Sequence, residues 1–126
     1  MRKIVLVLLI TTIFIIFSIY SVNYLEKSSE ELITQLVVVE KAIKQKEWHK
    51  AQGELEQFRR NWEKAKFMWS ILIDHREIDN IEVSIAHIGS YLSTQNLSEI
   101  SAEIKGLYLF LKHIPETEKI SLENFL

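Results

Sequence analysis

The chain has 126 residues, 48% of them hydrophobic and 25% charged, with a formal net charge of −2. That length accommodates one domain and no second core. One Pro and three Gly are too few to punctuate an all-β protein, and the lack of Cys excludes a disulfide framework, a thiolate zinc site and a cysteine nucleophile.

The first element is apolar. From Ile4 to Tyr20 the chain reads IVLVLLITTIFIIFSIY, and the charge-free stretch continues to Leu25. Its 22 residues give about 33 Å of helix, enough to cross a hydrocarbon core of about 30 Å with slight tilt. Fourteen Ile, Val, Leu or Phe lie between Ile4 and Val22, and they outweigh Thr11, Thr12 and Ser18 for insertion. A cleaved secretion signal is the competing reading. No cut within Ser18–Asn23 puts small residues at both required positions, so an uncleaved anchor is expected. Tyr20 and Tyr24 fall where an interfacial aromatic belt belongs. Arg2 and Lys3 precede the run, so the positive-inside rule predicts a cytoplasmic N-terminus and a translocated body. Without those two residues the body carries 13 basic against 17 acidic side chains, which argues against nucleic acid as a partner. Three residues before the apolar run leave no cytoplasmic output domain to expect. Signalling across the membrane would pass through a partner.

Ser28-x-x-Glu31 has a capping-box pattern that would restart a helix outside the membrane, although a continuous helix satisfies the same residues. Leu32, Leu36, Val39 and Ile43 form its apolar stripe. The second segment alternates spacings of three and four through Trp48, Ala51, Leu55, Phe58, Trp62, Ala65, Trp69 and Leu72. Asp74 with Glu77 predicts the N-terminus of a third helix, striped by Ile78, Ile81, Ile85, Ile88 and Leu92. Asn96 with Glu99 repeats the signal for a fourth, in which Leu97, Ile100, Ile104, Leu107, Leu111 and Ile114 recur until Pro115 is expected to stop the helix. Short connections between four amphipathic segments predict an all-α fold, a transmembrane helix followed by an antiparallel up-down four-helix bundle. The expected division is a transmembrane anchor over 1–25 and an extracytoplasmic bundle over 26–126, with a tail from 115. The turn at Asp74 and that tail should be membrane-proximal.

The runs NYLEKSSEELITQL and IDHREIDNIE, the EWHKA…W…W seam and the closing HIPETEKISLENFL resemble the bacterial family called domain of unknown function four-three-six-three. The resemblance spans essentially the whole chain, and Ile73-Asp74-His75-Arg76-Glu77-Ile78-Asp79 is its most specific piece. It implies a small membrane-anchored helical protein, often encoded beside a multi-span membrane protein, and brings no activity or catalytic residues.

One concentration of ligand-type residues occurs, around Asp74. His75 and Asp79 stand four apart with Glu82 a turn further on, a weak metal candidate. Caps and a dipole-favoured acidic first turn explain the same residues more simply. No Glu-x-x-His, His-Glu-x-x-His, Gly-x-Ser-x-Gly or Ser-x-x-Lys pattern occurs, so neither enzymatic activity nor a cofactor is expected. The three Trp sit at seam positions, where core packing is the simpler reading than a ligand cleft. His49, His87 and His113 are scattered. Apolar residues off the stripes are more informative. Phe67 and Ile71 face nearly opposite the Trp seam, Leu109 faces away from the Leu107/Leu111 stripe, and the tail holds Phe125 and Leu126. They are candidates for an interaction surface, covered by the tail folding back or by a membrane partner. The expected function is a non-enzymatic accessory module in the cell membrane that docks an integral membrane protein or its own copy. The alternative is a sensor or binding module holding a small ligand or metal between helices.

Overall fold

The structure, a computed structural model, describes residues 1–125. It contains four helices, α1 (Arg2–Lys44), α2 (Trp48–Leu72), α3 (His75–Thr94) and α4 (Leu97–Phe125), and no strand among the described residues.

Helix α1 is continuous from the apolar run into the bundle. No Gly or Pro interrupts its 43 residues. Its hydroxyls are turned to the helix's own use: Thr11, Thr12, Ser18 and Ser21 each donate to the carbonyl four residues back, at 2.8–2.9 Å. Such bonds remove most of the cost of carrying a hydroxyl in an apolar setting. Ser28 is likewise no cap. Its hydroxyl donates to the Tyr24 carbonyl at 2.7 Å, so the capping-box reading gives way to an unbroken helix.

Both turns far from the apolar run have the same construction. Lys46 takes φ 57°, with Glu47 N donating to the Ala42 carbonyl and Lys46 N to the Ile43 carbonyl. Gln95 takes φ 55°, with Asn96 N donating to the Tyr91 carbonyl and Gln95 N to the Leu92 carbonyl. These are Schellman turns, in which two orphan carbonyls gain donors. They use a non-glycine residue in the left-handed region, which costs about 1–2 kcal/mol each. The N-termini of α3 and α4 are capped as expected. Asp74 Oδ1 accepts from Arg76 N at 2.8 Å, and Asn96 Oδ1 accepts from Glu99 N at 3.3 Å.

The helices alternate in direction and close into a square. Helix α1 packs on α2 and α4, α3 packs on α4 and on α2, and the diagonal pairs make no close approach. The α2 seam from Ala51 to Trp69, the α3 stripe and the α4 stripe from Ile100 to Ile114 are buried, as are Leu32, Leu36, Val39 and Ile43 of α1. Trp62 and Trp69 meet edge to face with centroids 5.5 Å apart, the arrangement favoured by ring quadrupoles. Leu97 is the most open of the stripe residues, 39% exposed in the first turn of α4, and Trp48 and Leu72 at the ends of α2 are half-buried. Burial on α1 begins at Ser21. Before that point the helix is largely exposed from Ile4 to Phe17, and Phe14, Phe17 and Ser18 border a groove with the ends of α2 and α4.

The expected stop at Pro115 does not occur; α4 runs through it to Phe125. Proline in a helix removes one donor and leaves the carbonyl four residues earlier, here that of Leu111, without its partner. Ser29, 3% exposed on α1, donates its hydroxyl to the Leu111 carbonyl. The neighbouring helix therefore supplies the hydrogen bond that proline takes away. No tail exists to fold back, because the segment from 115 is the end of α4.

Replacing Ser29→Ala should leave the buried Leu111 carbonyl unpaired and lower unfolding free energy by about 1–3 kcal/mol. In a Pro115→Ala background, where residue 115 again offers its own N–H, the same replacement should cost much less. Denaturation of the four variants in mild detergent measures the difference, and equal costs in both backgrounds would overturn this account. Replacing Gln95→Gly should raise stability by up to about 1 kcal/mol by relieving the left-handed turn; a loss of stability would show that the turn is not strained.

Candidate functional site

The residues singled out from sequence fall into three places. His75 opens α3 and is exposed, Asp79 is exposed a turn later, and the half-buried Glu82 carboxylate is paired with Lys66 of α2. That pair raises the Lys66 pKa through its hydrogen bond with Glu82, with partial burial opposing it. Asp74 is held below the ordinary aspartate range, chiefly by the hydrogen bond from Arg76 N. Among the described residues no group of three His, Asp or Glu side chains converges as a metal site. Glu82 instead ties α2 to α3. His87 contacts Glu103 of α4 at 3.1 Å and His113 contacts Glu116 at 3.5 Å, both at the surface.

The off-stripe apolar residues are exposed: Phe67 by 71%, Ile71 by 58%, Leu109 by 41% and Phe125 by 84%. They do not form one patch. Ile71 and Phe125 share a groove of about 320 Å³ with Phe14, Phe17, Ser18, Ser21, Glu118 and Leu122. Phe67 stands about one turn from Ile71 along the outer side of α2, outside that groove. Leu109 borders a separate groove between α3 and α4, beside Asp74 and His113. Leu126 lies outside the described residues. The α4 end therefore reaches Ile71 but does not cover Phe67, which corrects the expectation of a tail folded over both. The correction follows from Pro115: with its orphan carbonyl satisfied by Ser29, nothing turns the chain back.

Two features were not found from sequence. The first is the serine pair. Trp69 Nε1 donates to Ser28 Oγ at 2.8 Å across to α2, while Ser29 bonds to α4. A spacing that reads as a cap and a buried hydroxyl pair look alike on paper; only the uninterrupted apolar periodicity on both sides hinted at the second. The other is a polar cleft of about 480 Å³ between α1 and α2, bordered by Tyr24, Lys27, Glu31, Asn61 and Lys64. Its residues come from two helices in no recognisable motif.

These features define a class: a four-helix bundle whose first helix extends beyond it as an exposed apolar rod. Residues 19–125 match the family model described as Domain of unknown function (DUF4363), and the chain belongs to that family. The match begins just before Ser21, where α1 joins the bundle, and so covers the bundle and omits most of the rod. No curated protein and no solved structure matches the chain.

The groove at the end of α4 has a titratable wall. Burial among apolar neighbours pushes the Glu118 carboxyl above the usual glutamate range. A carboxyl so shifted favours the fold when protonated. Its contribution is complete below the unfolded-state pKa and is lost as pH rises through the higher folded-state value. Glu118→Gln should therefore raise the melting temperature at pH 7 and give no gain below about pH 4, where both forms are neutral. Thermal circular dichroism across that range checks it; a gain of equal size at both ends would remove the role given to burial.

Proposed function

We propose that this protein is a single-pass membrane protein whose bundle stands on the extracytoplasmic side and acts by contact with an integral membrane protein or a second copy of itself, without catalysis. The observation that carries the reading is the rod. From Ile4 to Ile19 the large apolar side chains of α1 are 45–63% exposed, with only Ile15 less so. Each such side chain left in water forgoes about 1.5–3 kcal/mol relative to burial. An exposed apolar surface of that extent is far larger than soluble monomers tolerate. Among the described residues α1 is also the one helix long and apolar enough to cross a membrane. Arg2 and Lys3 at its start support a cytoplasmic N-terminus.

The contact role is supported by where apolar surface remains on the bundle itself. Phe67 and Ile71 lie in the last two turns of α2, at the end from which the rod emerges, where a membrane-protein neighbour would be met. The core beneath is closed to solvent: Phe58, Trp62 and Trp69 are at most 1% exposed, with Trp62 Nε1 buried there without a hydrogen-bond partner. That favours a contact module over one holding a ligand in the seam. The ligand-binding alternative keeps one observation, the Lys27/Lys64 cleft, which is open to solvent.

Two measurements test the reading separately. The chain has no Cys, so Ser101→Cys introduces one thiol, at an exposed position on α4. A membrane-impermeant maleimide should label it in intact cells, and labelling only after permeabilisation would refute the topology. A photocrosslinker at Phe67 should yield a discrete product of higher mass in native membranes, and one at Asn80 should not; no product from Phe67 would end the docking role.

A further inference from the structure

We infer that the last two turns of α4, from Lys119 to Phe125, form a second contact with the bilayer, lying in its interfacial layer beside the span. This rests on the anchor reading above and adds a lipid-facing element that the apolar run does not contain.

The register between α1 and α4 sets the depth. Lys119 Nζ lies 3.6 Å from Glu26 Oε1, and Glu26 is the first charged residue after the charge-free stretch. The pair is therefore the last bridge on the aqueous side. Because α4 runs antiparallel to α1, everything after Lys119 lies alongside residues of that stretch. Phe125 is about 9 Å beyond Lys119 at 1.5 Å per residue. It borders the same groove as Phe14 and Phe17. If those two phenylalanines are in lipid, Phe125 cannot be in bulk water.

The composition of these turns suits an interface and not a core. Ile120 is 58% exposed and Phe125 84%, while Leu122 is half-buried in the groove. Glu123 and Asn124 flank Ile120 around the helix, so these turns interleave polar and apolar side chains. A penetration of about 9 Å matches the 5–10 Å reached by interfacial helices and stops short of crossing. Lipid is the occupant that continuity selects, since the groove opens directly onto the rod.

The full-length chain, labelled with an environment-sensitive fluorophore at single cysteines, tests this in vesicles of phosphatidylcholine and phosphatidylglycerol. Labels at Phe14→Cys, Ile120→Cys and Phe125→Cys should shift to the blue and lose emission to spin-labelled lipid, with quenchers near the headgroup acting most on 120 and 125. A label at Ser101→Cys should respond only to aqueous iodide. Iodide quenching at 120 and 125, with Phe14→Cys still in lipid, would overturn the inference and leave the anchor standing. An aqueous signal at Phe14→Cys would remove the anchor itself. Shielding of 125 from both quenchers would mean that protein, such as a second copy, covers it in place of lipid.

Discussion

Two adjacent hydroxyls position the bundle. Successive residues on a helix point about 100° apart, and in a square bundle the two neighbours of any helix lie at nearly the same angle. Ser28 and Ser29 use that coincidence: one accepts from Trp69 on α2, the other donates to Leu111 on α4. Each bond contributes only about 0.5–1.5 kcal/mol net, small beside the burial of Trp62, Trp69 and Phe58. Their effect is on geometry. Apolar stripes tolerate rotation and sliding of one helix past another, whereas two hydroxyls with fixed partners allow one rotation and one register for α1. The Lys119–Glu26 pair then extends that register to the end of α4, and the Lys66–Glu82 pair ties α2 to the first half of α3.

Much of this architecture was legible in the sequence. The Trp48–Leu72 alternation and the isoleucine stripe of α3 marked the faces that pack, because a 3.6-residue repeat has no other economical use for such side chains. Asp74 and Asn96 marked helix starts for the same local reason. What the sequence misled about was Pro115. Read locally, proline ends a helix; read in the fold, the orphan Leu111 carbonyl has a donor on a helix 82 positions away in sequence. No local rule contains that information. At Ser28 the sequence left a cap and a continuous helix both open, since S-x-x-E describes a cap only if the preceding residues are not already helical, and the structure has the continuous helix. Phe67, Ile71 and Leu109 lie off the stripes and are exposed, and Phe125 lies in what reads as a tail, but periodicity along single helices could not say that they fall into separate regions.

The chain is thus a bundle with a closed apolar core set on an apolar rod, within a family whose matched region is that bundle. The residues that periodicity leaves outside the core are not spread evenly. Phe67, Ile71, Ile120 and Phe125, each at least 58% exposed, belong to the turns of α2 and α4 nearest the rod, while the far half, with its two Schellman turns, exposes smaller apolar side chains at Val37, Val38 and Leu97. The asymmetry puts the larger exposed apolar side chains at the base of the bundle. The histidine contacts with Glu103 and Glu116 are surface pairs between solvated groups and add little to either.

The unbroken course of α1 has a mechanical consequence. No hinge separates the rod from the bundle, so the two move as one body. The bundle portion of α1 extends about 35 Å from Ser21 to Lys44 at 1.5 Å per residue. A lean of about 20°, ordinary for a helix in a bilayer, would sweep the outer turns sideways by roughly 12 Å. With the rod in a bilayer as proposed, such a mast would convert changes in bilayer thickness, or the pull of a neighbour on the rod, into displacement of the bundle's outer surface.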